Sequence, residues 1–389
     1  MLFEKSDVTD EIVPGTVHLV DLDGTLDVKH DDRGRNIILQ PQPSSNPNDP
    51  LRWPKWKKIA QFSFLWFWAF MEAVTVNWSG PIWTEWTKVF NCTFMDLNIS
   101  SALCFIFLGI GCLTLQPTAM KLGRRFVFIS CTIFAIAGNI LGSQATNVQM
   151  IYGANILTGY AAAPVDSLVE ISTTDVFFQH ERAKYLSWFI LALYAGSDLG
   201  PVACGYIVES LSWRWCYYIQ IIIFGCILVV QLFYMEDTTF EIREEKDTEE
   251  EIIAQIKSRE TGDYKEIHHI TSQEQSSETE SDDGSIDPSI PLRPYWKRMQ
   301  LVETEYSDKR SWFTIFIRPF FLLTFPAVIW GGIVYGAQMM WLSLLATTQS
   351  LIFASSPYDF SDASVGLTNL GPLVGSVIGM FYGGPLVDW

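Results

Sequence analysis

The chain has 389 residues, 49% of them hydrophobic, and a formal net charge of −17. Residues 236–292 contain 18 acidic and 5 basic residues, so this segment alone carries a net charge of −13. The acidic charge is therefore local, and it argues against a nucleic-acid-binding surface. Six of the seven cysteines lie in apolar blocks and no zinc-ligand spacing occurs, so we expect no disulfide framework, no metal and no cofactor.

The apolar residues are concentrated in eight blocks near the length that crosses a ~30 Å hydrocarbon layer as a helix. These predicted spans 1 to 8 are residues 59–80, 101–120, 126–143, 148–171, 184–209, 214–235, 314–345 and 363–386. Residues 1–58 are polar and rich in Pro, Asn and Asp, which predicts a disordered tail, and the first span begins too late for a cleavable signal peptide. The sequence predicts an all-α membrane protein.

Basic residues predict which side of the bundle is cytosolic. One side carries Arg52, Lys55, Lys57, Lys58, Lys121, Arg124, Arg125, Arg182, Lys184, Lys309, Arg310 and Arg318, whereas the other carries Lys88 and Arg214. The sequons at Asn91 and Asn98 fall in the predicted 81–100 loop on the less basic side, which makes both asparagines candidate glycosylation sites. Both signals predict that the N-terminus and the acidic segment are cytosolic.

The spans are grouped as a bundle of six over 59–235, an acidic loop over 236–313, and two further helices over 314–389. The loop is too polar to fold alone. This layout is typical of a carrier built from two six-helix halves. Because span 8 is the last apolar block, we expect the second half to be incomplete in this sequence.

One string in the tail suggests an enzyme. Residues 21–25, Asp-Leu-Asp-Gly-Thr, resemble the nucleophile loop of haloacid-dehalogenase phosphatases. That chemistry needs an α/β domain to hold two carboxylates and Mg²⁺. A polar stretch and then a membrane helix follow the string, so we expect a tail segment and no enzyme activity.

The loop between spans 2 and 3 ends in Leu-Gly123-Arg124-Arg125, which resembles the end of a loop signature of the major facilitator superfamily. A second partial copy, Gly384-Pro-Leu-Val-Asp388, follows span 8 and matches the beginning of the same signature. An internal repeat is stronger support than either string alone. In that family the loop latches the two halves together on the cytosolic side, and otherwise Arg124 and Arg125 would simply orient the helices.

Span 5 contains Gly200, Pro201 and Gly205 in a string that resembles the antiporter signature of the same superfamily. Small residues four apart let helix backbones approach closely, and a proline bends the helix. Span 8 carries a ridge of glycines at spacing four, Gly371, Gly375, Gly379 and Gly383. The resemblance implies that the two glycine ridges pack against each other, although generic tight packing would need the same residues.

Span 4 resembles a motif of proton-coupled drug antiporters, but Asn155 replaces the arginine that the family links to proton transfer. On a continuous helix, Asn155, Asp166 and Glu170 would share one face with Gly159 and Ala162. The sequence therefore predicts a polar track along span 4 that runs toward the cytosol.

Three carboxylates, those of Glu72, Asp166 and Asp198, fall inside predicted spans. A charge at the bilayer centre costs ~2.5–3.5 kcal/mol on insertion scales, so each should face a cavity or a partner. Burial also disfavours the charged form, which would permit proton exchange. Nearby aromatic residues suit cation–π contact with an ammonium group, and Tyr194, Tyr335 and Trp341 are the candidates. The alternative is that a given carboxylate is protonated and only hydrogen-bonded.

Together, over residues about 50–389, these features resemble a fungal member of the twelve-span drug:proton antiporter family. Residues 162–166 and 175–178 are most similar to its polyamine and cation carrier branch. The resemblance implies a monomeric plasma-membrane carrier in the lipid bilayer that moves small organic cations, such as polyamines or drugs, and is coupled to protons. The alternative function is a non-transporting remnant or a sensor that signals through the acidic loop.

Overall fold

The computed structural model describes residues 30–31, 34–38, 41, 43–44, 46–240, 290–302 and 310–383. The chain divides into two compact units, one formed by Met1–Asp49, Phe178–His180 and Ile242–Pro291, the other by Pro50–Phe177, Glu181–Glu241 and Leu292–Trp389. In the first unit, the described residues include two antiparallel strands, β1 (His30–Asp31) and β2 (Gly34–Ile38). The predictions of a tail and of the Asp-Leu-Asp-Gly-Thr string fall largely outside the described residues.

The helices belong to the second unit, except for the first two residues of α7. Before the acidic segment they are α1 (Lys55–Asn77), α2 (Trp83–Val89), α3 (Phe94–Leu122), α4 (Arg124–Ser143), α5 (Val148–Ala162), α6 (Leu168–Val176), α7 (Gln179–Ser210) and α8 (Arg214–Phe233). After it come α9 (Tyr295–Arg298), α10 (Trp312–Leu322), α11 (Pro326–Phe353), α12 (Asp362–Leu367) and α13 (Leu370–Gly383). Short 3₁₀ turns lie at Pro50–Arg52, Gly80–Ile82 and Ala163–Asp166.

Seven helical segments of the described residues are long and apolar enough to cross a membrane. They are Lys55–Val89, Phe94–Leu122, Arg124–Ser143, Gln179–Ser210, Arg214–Phe233, Pro326–Phe353 and Asp362–Phe381. These segments correspond to seven of the eight predicted spans, all except span 4. The predicted all-α membrane fold is confirmed.

Span 4 is broken rather than continuous. The α-helix ends at Ala162, the 3₁₀ turn Ala163–Asp166 follows, and α6 begins at Leu168. Pro164 lies at the start of that turn, and a proline inside a helix removes one backbone hydrogen bond and clashes with the preceding turn. The predicted polar track assumes one continuous helix, and this assumption is wrong.

Span 7 is also divided. The sequence predicts one helix over 314–345, but the structure has α10, then a break at 323–325, then α11 beginning at Pro326. Proline suits the first residue of a helix, while the residue before a proline avoids helical dihedral angles. Phe325 and Pro326 therefore separate a short helix from a membrane-length one.

The core of the first six spans forms around α1. Trp68 is fully buried, its ring lies edge-on to Phe128 at 5.1 Å, and its indole N–H donates to Thr132 Oγ1 at 2.9 Å. Helix α5 packs between α3 and α4, and α4 also packs on α8.

Candidate functional site: the central cavity

A cavity of about 740 Å³ lies between α1, α3, α7, α11 and the 3₁₀ turn of span 4. Its wall is formed by Glu72, Ala73, Val76, Asn77, Asn98, Ser101, Ala102, Phe105, Leu108, Ala162, Val165, Asp166, Leu193, Tyr194, Ser197, Tyr335, Met339, Met340, Trp341, Ser343, Leu344 and Thr347. Two of these described lining residues are acidic and none is basic. The wall is mostly apolar, so charge in the cavity is concentrated at the two carboxylates.

Glu72 is the more deeply placed carboxylate. It lies on α1, its side chain is 0% exposed, and neither carboxylate oxygen has a hydrogen-bond partner in the described residues. A buried charge without a partner is costly, and a buried carboxyl group normally finds a donor, a counter-ion or a proton. Glu72 is therefore placed to take up a proton or a cationic group.

Asp166 is the accessible carboxylate. It ends the 3₁₀ turn, lines the cavity and is exposed, in contrast to Glu72. The tighter turn around Pro164 projects this residue into the cavity together with Ala162 and Val165. An open carboxylate in an apolar cavity suits the binding of a positively charged ligand.

Three aromatic residues are also part of the cavity wall. Tyr194 on α7 and Tyr335 and Trp341 on α11 all line the cavity, as the sequence predicts. Tyr335 is 57% exposed and Trp341 62% exposed, so their ring faces are accessible. Aromatic faces attract ammonium groups through their quadrupoles.

Three predicted site residues do not line this cavity. Asn155 donates to Ser100 Oγ at 2.8 Å and faces a much smaller neighbouring cavity. Glu170 lies on α6 beyond the break, is exposed and is not part of the cavity wall. Asp198 is 5% exposed with Oδ2 unpaired, yet it is absent from the cavity wall. None of the three is in the wall of the central cavity, so a site that they share with Glu72 and Asp166 stays a prediction.

Sequence reasoning missed several polar lining residues. Asn77 donates to Ser197 Oγ at 3.1 Å, which joins α1 to α7 at the cavity wall. On α3, Asn98, Ser101 and Phe105 line the cavity at helical spacing. This spacing is visible in the sequence and could have indicated that one face of span 2 lines the cavity.

Arg125, in the predicted latch loop, binds backbone rather than carboxylate groups with its side chain. It is 2% exposed, and its guanidinium donates to four carbonyls from two separate segments. The acceptors are Gln231 at 3.3 Å, Leu232 at 2.7 Å, Gln300 at 2.9 Å and Met299. One side chain therefore holds the end of α8 and the segment that follows α9.

Arg124 and the backbone of the same loop bind carboxylates. The side chain of Arg124 pairs with Asp175, and the backbone N–H groups of Arg124 and Arg125 donate to Asp237 at 3.4 and 3.2 Å. Gly123 adopts a φ of 91°, which a side chain would disfavour, at the turn between α3 and α4. These contacts lie within the first six spans and the residues after α8, so the latch between halves stays a prediction.

Glu236 bridges two cations beside this loop. Its two oxygens lie 2.6 Å from Lys57 Nζ and 3.0 Å from Arg298 Nη1. We call Lys57, Arg124, Arg125, Asp175, Glu236, Asp237 and Arg298 the arginine cluster. Each member has a bonding partner within the described residues, and the cluster ties α1, α4 and α9 to the end of α8.

Span 5 meets the beginning of span 8, not its glycine ridge. A Cβ at Gly205 would lie 2.6 Å from the Asp362 carbonyl oxygen, and one at Gly366 2.7 Å from the Pro201 carbonyl oxygen. Gly200 packs less tightly, against Val74 on α1. The glycines at 371, 375 and 379 have open space where a Cβ would be, so the expected ridge-to-ridge packing is wrong. The close contact between spans 5 and 8 is made by Gly366 on α12 and not by the predicted ridge.

The two sequons also differ from expectation. Asn91 is exposed in the turn after α2, whereas Asn98 lies on α3, which begins at Phe94, and lines the cavity. The predicted 81–100 loop is largely helical, because Thr93 and Asp96 form a capping box that starts α3 early. Gly384 and Asp388 lie outside the described residues.

Membrane-length helices around a cavity define an integral, multi-pass membrane protein. Residues 65–389 match the sequence model of the Major Facilitator Superfamily, and the chain belongs to this superfamily.

Several fungal proteins are similar along most of the chain. An uncharacterized MFS-type transporter of Schizosaccharomyces pombe is 28% identical, and the match covers 91% of this chain and 64% of that protein. Protein HOL1 of Saccharomyces cerevisiae is 25% identical over 91% of this chain and 66% of its own length. The MFS transporter fsa7 of a Fusarium species is 24% identical over 86% and 59%. The chain thus spans less than two thirds of the length of these relatives, and their family does not favour the remnant or sensor alternative.

Proposed function

We propose that this protein transports small organic cations across a membrane by alternating access around the central cavity. The observation that carries the proposal is the cavity wall, which has carboxylates at Glu72 and Asp166 and no basic residue among its described members. Rocking of two helical groups around a midplane site is the usual way in which carriers of this layout work.

The chemistry of the cavity favours a cation with apolar parts. Asp166 offers an open carboxylate, and the faces of Tyr194, Tyr335 and Trp341 offer cation–π contact. The apolar remainder of the wall suits methylene chains or rings. Polyamines and cationic drugs have these properties, and the resemblance of residues 162–166 to the polyamine and cation carrier branch supports the same class.

We also propose that transport is coupled to protons. We assign Glu72 as the proton-binding group of the cavity, because it is fully buried and lacks a partner. Asp198 is a second candidate outside the cavity, since it is buried with one unpaired oxygen. Asn155 has no proton to exchange at neutral pH, so coupling would not use the position that drug antiporters use in span 4.

The proposal includes the location and the orientation of the protein in the membrane. We place the protein as a monomer in the plasma membrane with its N-terminus in the cytosol, from the distribution of basic residues. Of the two sequons, we expect glycosylation at exposed Asn91 and not at Asn98, which lies on a helix facing the cavity. A gel mobility shift removed by Asn91→Gln and retained by Asn98→Gln would support this orientation.

Uptake measurements test the cargo. Cells without endogenous spermidine uptake would express the protein at its full natural length, and we expect saturable uptake of radiolabelled spermidine that cationic drugs inhibit and anions do not. Asp166→Asn should lower uptake at least about tenfold, because a charge-assisted contact is lost. Glu209→Gln is the matched control and should leave uptake unchanged, because Glu209 is exposed near the end of α7 and does not line the cavity. Uptake that Asp166→Asn does not alter would contradict the proposed site.

A further inference from the structure

A second cavity, of about 340 Å³, lies between the last turns of α3 and the short helix α10. Its wall consists of Gln116, Pro117, Met120, Arg310, Ile315, Arg318, Pro319 and Leu322. Two guanidinium groups and one amide face five apolar residues, and no described lining residue is acidic. Among the described lining residues, the charge is therefore opposite to that of the central cavity, which suits an anion.

Helix α10 has the properties of a helix that lies along a membrane surface. Its 11 residues extend only about 16 Å, too short to cross the hydrocarbon layer. Phe313 and Phe321 are 63% and 68% exposed, while Ile315 on another face is buried against the protein. A short amphipathic helix with exposed aromatic residues and basic neighbours is typical of the lipid interface.

A specific contact holds α10 in place. The indole N–H of Trp312 donates to Thr118 Oγ1 at 3.2 Å, two residues from Gln116 and from Met120 in the cavity wall. Helix α3 ends at Leu122, and one glycine separates it from the basic Arg124–Arg125 pair. The second cavity therefore lies at the predicted cytosolic boundary of the bilayer, where headgroups meet acyl chains.

We propose that this second cavity binds an anionic phospholipid of the cytosolic leaflet. The headgroup phosphate would lie against Arg310 and Arg318, and an acyl chain along the apolar residues of the same wall. A free phosphate would need only the basic part, so the apolar lining favours a lipid as the source of the anion. Basic pockets between helices on the cytosolic side are a known way to bind acidic headgroups. The inference rests on the proposed orientation but not on the proposed cargo.

Lipid binding to the purified full-length protein, measured by native mass spectrometry, tests this inference without any transport assay. We expect phosphatidylserine to bind more tightly than phosphatidylcholine of the same chain length, by about fivefold for each arginine. The double variant Arg310→Gln/Arg318→Gln should bind both lipids equally, and Arg310→Lys/Arg318→Lys should keep most of the preference. Arg293→Gln is the control for a basic residue outside the cavity wall and should bind like the wild type.

Two results would overturn the inference. One is a preference for phosphatidylserine that survives in the double glutamine variant, which would place acidic lipid elsewhere. The other is displacement of the lipid by millimolar inorganic phosphate or glycerophosphoserine, which would assign the cavity to a free anion. If the glutamine variant does not fold, the lysine variant and the competition with soluble anions still decide the outcome. If the wild-type protein shows the lipid preference but does not take up spermidine, only the proposed cargo is contradicted.

Discussion

The central cavity and the arginine cluster both place charged side chains inside the protein, but they satisfy those charges differently. In the cavity, Glu72 is fully buried with neither oxygen bonded, and no described basic residue lines the wall. In the cluster, Arg125 is 2% exposed, yet its guanidinium donates to four carbonyls. A buried charged group without a partner is costly, and binding a ligand or a proton relieves that cost. A buried charged group with hydrogen-bond partners stabilises the fold. The predictions below test this difference.

The largest expected effect is on transport, at the unpaired carboxylate. Glu72→Gln removes the proton-binding group and should reduce cation uptake to background. Because no hydrogen bond of Glu72 is lost, we expect the thermal midpoint in detergent to stay the same or to rise. Uptake per folded molecule and thermal unfolding would be measured together. Normal uptake of the Glu72→Gln variant together with a lowered midpoint would mean that Glu72 stabilises the fold, as the arginine cluster does, and does not serve transport.

The next effect is on stability, at the paired guanidinium. Arg125→Gln leaves several buried carbonyls without a donor, which should cost about 2–3 kcal/mol and lower the thermal midpoint by about 5 °C or more. Arg125→Lys should recover little of this loss, because a point charge lacks the planar fork that reaches several acceptors. Uptake corrected for the amount of folded protein should change less than twofold. A stable Arg125→Gln protein that does not transport would reverse the roles of the two regions.

A smaller effect is expected at the aromatic wall. Trp341→Leu keeps an apolar side chain but removes the π-face, so the KM for a cationic substrate should rise about two- to fivefold. The matched control is Trp330→Leu on the same helix, since Trp330 is 69% exposed but does not line the cavity. Initial uptake rates over a range of spermidine concentrations would separate KM from maximal rate. Equal effects of the two variants would argue against cation–π recognition.

The smallest effect is expected at Glu236. Its bridges to Lys57 and Arg298 are partly exposed, the Arg298 side chain by 38%, and ion pairs of this kind contribute about 1 kcal/mol or less. Glu236→Gln should lower the thermal midpoint slightly, and the difference from wild type should shrink at 1 M salt because of screening. A drop as large as that of Arg125→Gln would show that Glu236, and not the carbonyl contacts, holds the arginine cluster together.

The sequence predicts the membrane helices well because length and hydropathy alone decide them. Seven of the eight spans correspond to membrane-length helices. The breaks at Pro164 and Pro326 were harder to foresee, since prolines are common in membrane helices and only the neighbouring packing decides whether the helix bends or stops. The early start of α3 depended on a local capping box at Thr93, within a stretch that composition suggested was a loop.

The candidate site was predicted in part. Glu72 and the three aromatic residues line the cavity from their helices, whereas Asp166 lines it from the 3₁₀ turn. Glu170 and Asn155 were assigned to the same face only by extending a regular helix through residues 163–166. A single 3₁₀ turn invalidates that extrapolation. The contacts of Arg125 with backbone carbonyls leave no trace in residue types, so only the structure reveals them.

The guanidinium of Arg125 donates to the carbonyls of both Leu232 and Gln300, and these two contacts shorten the part of the connection that can extend toward the later helices. The polar region over 236–313 is long in sequence, but Arg125 bonds both Leu232, just before this region, and Gln300, near its end. Only residues 301–311 then separate the anchor from α10, a reach of about 40 Å at full extension. These eleven residues set the largest possible distance between Gln300 and the start of α10. A change in the number of residues between Phe240 and Ile290 would not alter that distance.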